Sequence, residues 1–115
     1  MAVTQAQVAQ LYVALFNRAP EGDGFRAWVN LGANKTQSEI AQLMLESQAA
    51  RDYYNGSIDS DRDYIELIYK NILGKDYTKD PDGINAWVMH LQAGNTRGET
   101  LIKLFEVAQS AEARA

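Results

Sequence analysis

The sequence predicts an all-α fold of six helices, built as two three-helix repeats sharing one core. Three observations carry this. Two long segments place apolar residues at i, i+3, i+4, i+7 and i+8, the stripe of a helix lying on a core. Four Ser/Thr-x-x-Gln/Glu/Asp phrases mark helix starts, and no segment sustains the alternation of a half-buried strand. The second long segment also repeats the first: Val8 to Arg18 lies over Ile65 to Lys75 at an offset of 57, with Tyr12 over Tyr69.

Thr4 with Gln7 opens the first helix, expected over residues 4–17, with Leu11, Leu15 and Phe16 as core positions. The breaker Ala19-Pro20-Glu21-Gly22 separates it from a short helix over 22–31, where Asp23 complements the helix dipole. A helix that short is marginal alone, so Phe25, Trp28 and Val29 must dock against its neighbours. Thr36 with Glu39 opens a third helix over 36–54, and Asn55-Gly56-Ser57 closes the first repeat. Ser60 with Asp63 starts the fourth helix, over 60–73, carrying Ile68, Ile72 and Leu73. The loop from Asp76 to Pro81 is two residues longer than its counterpart, so Asp23–Val29 lies over Asp82–Val88 at an offset of 59. Asp80 as cap and Pro81 at the first position start the fifth helix, over 81–92. Thr96 with Glu99 starts the sixth, over 96–112, where Leu101, Leu104 and Phe105 align with Ile40, Leu43 and Met44. The organisation is a single domain over 1–115, with internal repeats about 4–55 and 60–113.

Composition narrows the chemistry. The 115 residues carry 11 Lys and Arg against 15 Asp and Glu, a net charge of −4, with no basic stripe for a phosphate backbone. There is no Cys, which removes disulfides, thiolate nucleophiles and zinc–sulfur sites. No run approaches the ~18 consecutive apolar residues of a membrane helix. Met1 to Leu15 has neither a basic residue nor a small-residue cleavage site, which reads against a secretory signal peptide.

No catalytic constellation is present: no G-x-S-x-G, no phosphate-cradling loop and no paired His. The protein is therefore read as a non-enzyme. Asp76, Asp80 and Asp82 with Gly83 suggest a calcium loop, but its twelfth position is Met89 and the bidentate Glu is missing, so no cofactor is expected. His90 has Ala86 and Gly94 four residues either side, without metal-ligand character. Trp28 and Trp87 have two readings, core anchors or indoles that stack on sugar rings. Tyr53-Tyr54 at the end of the third helix either contacts a ligand or caps the junction between repeats.

The phrase Leu11-Tyr12…Leu15-Phe16-Asn17-Arg18-Ala19-Pro20…Asp23-Gly24…Trp28-Val29, echoed as Ile68-Tyr69…Leu73-Gly74-Lys75…Asp82-Gly83…Trp87-Val88, resembles the bacterial domain-of-unknown-function family 4214. Met44-Leu45-Glu46-Ser47 resembles the Phe-x-x-Ser-type end of its repeat, whereas Ala27 and Ala86 stand where members carry Tyr. The resemblance implies export by type I secretion to the bacterial cell surface, in surface-layer or repeat-in-toxin adhesin proteins. It also implies a lipopolysaccharide or O-chain glycan partner. On that reading Arg26 contacts acidic sugar groups, Asn30 and Asn85 satisfy hydroxyls, and Trp28 and Trp87 stack. The alternative function is a protein–protein module that self-associates in a lattice without sugar. Neither reading involves nucleic acid or membrane insertion.

Overall fold

A computed structural model describes residues 3–18 and 22–114, with side chains through Ser110. The breaker at Ala19-Pro20-Glu21 lies outside the described residues. The described chain is all helical apart from turns: α1 (Gln5–Phe16), α2 (Gly22–Leu31), α3 (Gln37–Glu46), α4 (Gln48–Tyr54), α5 (Asp61–Leu73), α6 (Pro81–Gln92) and α7 (Arg97–Arg114), with one 3₁₀ turn at Gly32–Asn34.

The caps explain the boundaries. Thr4 and Thr36 each form a full capping box, the hydroxyl accepting from the third helical N–H while Gln7 or Glu39 reaches back. Thr96 and Glu99 do the same at 2.8 and 3.0 Å. Ser60 accepts from Asp63 N, and Asp80 accepts from Gly83 N with Pro81 behind it. Asn17, Asn55 and Gly74 end their helices in the left-handed region.

Seven helices replace the six expected, because the segment 36–54 is not continuous. Ser47 leaves the helical region (φ −70, ψ 157) and serves both sides. Its hydroxyl donates to Met44 O at 2.6 Å and accepts from Ala50 N at 3.2 Å. One side chain thus satisfies a carbonyl of the ending helix and an amide of the next, so the break leaves few orphaned backbone groups. The turn brings α4 back over the end of α1, where Tyr54 donates to Leu15 O and Tyr53 donates to Phe16 O.

One apolar core runs through both halves. Positions 57 apart share their environment: Val8 and Ile65, and Leu11 and Ile68, are fully buried, while Tyr12 and Tyr69 are nearly so. Of the core positions expected, Leu15 is fully buried, but Phe16, Ile72 and Leu73 are only partly so. The reason is α4. Its Tyr54 bonds to Leu15 O beside the sealed Leu15, while the matching Ile72 lines an open concavity with α1 and Phe105. In the third helices the matching offset is 60 rather than 61: Ile40 and Thr100, Ala41 and Leu101, Met44 and Leu104 have equal burial. Thr100 therefore occupies an apolar position, and its hydroxyl is satisfied by His90 Nδ1 at 3.0 Å.

The halves interlock where α3 crosses α7. A Cβ on Gly98 would collide with Ser38 O and sit 3.0 Å from Gln42 N, so only glycine allows this approach. Gly98 N donates to Gln42 Oε1 at 2.9 Å across the crossing. Arg97, stacked 4.8 Å over Tyr64, donates to Ile58 O (2.7 Å) and Asp59 O (3.1 Å), tying α7 to the junction before α5.

Candidate functional site

The expected glycan-contact residues fall into separate local clusters. Arg26 pairs with Asp23 three residues earlier, and both side chains are largely exposed, so the pair contributes little to stability. Asn30 is exposed near the end of α2. Asn85 is half-buried in α6, its Oδ1 accepting from Arg62 Nη2 at 2.7 Å, while that guanidinium lies 4.5 Å over Tyr77. Trp87 is partly buried, with its ring 5.4 Å from His90, edge to face. Trp28 is partly buried too, and packs on the core while lining a concave site.

That site is a pocket of about 270 Å³ where α1, α2 and the α3–α4 elbow meet. Its walls include Tyr12, Phe16, Trp28 and Tyr53, with Arg18 and Ser47 as the polar groups. Each wall has a local cause. Tyr12 and Phe16 are successive positions on one face of α1, their rings 5.9 Å apart, and Phe25 meets Tyr12 edge to face at 5.9 Å. Phe16 in turn contacts Tyr53 edge to face at 5.4 Å and stacks on Tyr54 at 5.8 Å. Tyr53 reaches the rim only because Ser47 turns the chain, and it remains 54% exposed. The pocket is lined by aromatic faces, one guanidinium and the hydroxyl-bearing side chains of Tyr12, Tyr53 and Ser47, of which the Ser47 hydroxyl is already engaged by Met44 O and Ala50 N.

Electrostatics are mild here. Burial pushes the Tyr12 hydroxyl above its ordinary range, and the nearby Arg18 charge pulls it partly back. Tyr12 stays a neutral donor at physiological pH.

The matching tyrosine of the second repeat does other work. Tyr69 donates to Asp80 Oδ2, whose other oxygen caps α6 through Gly83 N at 3.1 Å. Burial and the Asp80 carboxylate raise Tyr69 to about 12. The same hydroxyl, followed by Gly83 N, holds the Asp80 carboxyl below its usual range. Asp76 is engaged locally, accepting from Thr78 Oγ1 at 2.5 Å and Lys79 N at 3.2 Å. Among the described residues no three His, Asp or Glu side chains converge as metal ligands.

The sequence offers Trp28 and Tyr53 as separate ligand-contact candidates, but neither Arg18 and Phe16 nor the meeting of all four at one pocket is evident from it. Ser47 was the available signal, since a capping hydroxyl there places Tyr53 beside α1.

An all-α domain of doubled helices, with an aromatic pocket beside its first tyrosine helix, is the class that fold and site define. The chain belongs to the domain of unknown function family DUF4214, whose model matches residues 50–115, from α4 to the end of the chain. No curated protein and no solved structure matches the chain.

Proposed function

We propose that this chain is a non-enzymatic anchoring module of a secreted surface-layer or adhesin protein, holding lipopolysaccharide or O-chain glycan at the bacterial surface. The observation that supports this most is the pocket of Trp28, Tyr53, Phe16 and Tyr12 with Arg18 at its edge. Aromatic faces match the apolar faces of sugar rings, and a guanidinium matches an acidic or phosphorylated substituent. A volume of about 270 Å³ lies just below the usual ligand-pocket range, so it suits one terminal or side-branch sugar. Arg26, Asn30 and Asn85 are replaced in this reading by Arg18 and the Tyr53 rim, because only the latter face the same concavity as Trp28.

Tryptophan emission tests the proposal, since the chain has two Trp and Trp87→Phe leaves Trp28 as the sole reporter. Titration of that variant with O-chain oligosaccharide from the source bacterium should shift Trp28 emission and release heat. Arg18→Ala should weaken binding without changing the circular dichroism spectrum. A folded protein giving neither heat nor an emission change would overturn the glycan reading.

A second reading, a protein–protein module, has its own observation in the first helix. Gln5–Phe16 has no charged side chain, yet part of its outer face is exposed.

A further inference from the structure

We propose that the outer face of α1 is a self-association surface, where the chain pairs isologously with a second copy of itself. A concavity of about 460 Å³ opens there, lined chiefly by Ala6, Ala9, Gln10 and Val13 of α1, with Ile72 and Phe105 beside them. Ala6 and Gln10 are exposed, Val13 is 46% exposed, and Ile72 and Phe105 are only partly covered.

The second half of the molecule serves as an internal control. At the offset of 57, Ala6, Ala9 and Val13 become Asp63, Glu66 and Lys70. Those charged residues line another concavity, over which Ile58 is folded and 92% covered, being 8% exposed. One helix face thus exists twice in the chain. Where the junction segment lies against it, the face carries charge; where nothing described covers it, the face is uncharged and apolar. Only Gln5, Gln7 and Gln10 interrupt the apolar surface of α1, and a helix apolar all round is normally buried on every side.

The occupant follows from charge and symmetry. An isologous contact sets each surface against itself, so a face bearing net charge opposes its own charge. Each copy carries −4 overall, which repels a second copy at long range. The α1 face is a place where two such acidic chains can touch without opposing like charges. Its polar side chains are partly engaged within the chain: Gln37 Nε2 donates to Gln10 Oε1 at 3.2 Å, and Asn71 Nδ2 donates to Ala14 O at 2.8 Å. Ala6 and Ala9 let a second helix approach closely. A twelve-residue helix is about 18 Å long, so the contact falls short of the roughly 800 Å² per partner of a standard interface. The dimer is therefore weak and depends on protein concentration. This surface is distinct from the aromatic pocket, and the pairing does not depend on glycan binding.

Sedimentation of the full chain over a concentration series tests the pairing. The wild type should shift from monomer to dimer across the micromolar range. The triple variant Ala6→Asp/Ala9→Glu/Val13→Lys imports residues the second repeat already carries, and should weaken association at least about tenfold at unchanged helicity. Because the chain has no Cys, a single introduced thiol reports on the contact independently of that variant's folding. Gln10→Cys should give a disulfide-linked dimer under mild oxidation, while Lys70→Cys at the control face should not. A wild type that stays monomeric to about 1 mM overturns the proposal. So does a dimer that survives the triple variant in folded form, or equal cross-linking at Lys70→Cys.

Discussion

Gly24→Ala and Gly83→Ala change the same position of the repeat, and the structure assigns them opposite signs. In a helix, replacing Gly by Ala gains about 0.5–1 kcal/mol, because glycine loses more backbone freedom on folding. At Gly24 a new Cβ would meet only the Tyr12 hydroxyl at 3.6 Å, an ordinary contact, so that gain should appear nearly in full. At Gly83 the Cβ would come within 2.5 Å of the Tyr69 hydroxyl and collide with the Asp80 carboxylate. Overpacking of that kind costs about 1–3 kcal/mol, and the propensity gain offsets only part of it, leaving Gly83→Ala destabilised by about 1–2 kcal/mol. For a domain of this size each kcal/mol moves the melting temperature by roughly 4 °C. Thermal unfolding followed by circular dichroism should therefore show Gly24→Ala melting a few degrees higher and Gly83→Ala several degrees lower. In the background Tyr69→Phe, which removes the hydroxyl, Gly83→Ala should lose part of its penalty. Equal shifts of one sign for both glycines would refute the argument that the Tyr–Gly contact differs between repeats.

Leu15→Ala and Ile72→Ala, again 57 apart, should differ in cost: about 3–5 kcal/mol for the sealed Leu15 and about 1–2 kcal/mol less for Ile72, which opens on the apolar groove. Urea midpoints would measure both, and equal losses would show that Ile72 is covered in solution. Ser47→Ala should cost about 1 kcal/mol and expose Tyr53 and Tyr54, read as increased tyrosine emission or faster proteolysis near residue 47. Tyr69 is raised in the folded state, so its contribution is complete below its unfolded value near 10 and is lost as pH rises through about 12. Denaturant midpoints should fall across that window and fall less in Tyr69→Phe. The lowered carboxyls of Asp80, Glu39 and Glu99 act in the opposite sense: their contribution is present above the ordinary carboxylate range and is lost as acid titrates them below it.

Helix starts were legible because they rest on local chemistry. Thr4, Thr36, Thr96 and Asp80 cap within three residues of themselves, and no tertiary contact is needed to form those bonds. The break at Ser47 escaped because Ser-x-x-Ala lacks the returning carboxamide or carboxylate of a full box, and the apolar stripe continues through it. The register of α7 against α3 slipped by one because Thr100 stands where Ile40 does. A buried Thr reads as polar until its partner, His90, is known. The pocket around Trp28 is hidden from the sequence for a related reason. Residue type points to Arg26, Asn30 and Asn85 on the short helices, whereas the pocket at Trp28 needs the α3–α4 elbow, which returns Tyr53 to α1, where its hydroxyl donates to Phe16 O.

The crossing of α3 and α7 bears on how such a chain could have arisen. Ile40 and Met44 are sealed in a core to which Leu101 and Leu104 also belong, and the backbones meet closely at Gly98. The sequence echoes itself over one half, but the unit that excludes water is both halves together. An ancestor with a single copy would have had to complete its interior with another molecule of itself, and duplication followed by fusion would have turned that encounter into an intramolecular one. Within one chain the two halves are also free to differ. Tyr69 has become the partner of a helix-capping carboxylate, while Tyr12 borders an open pocket.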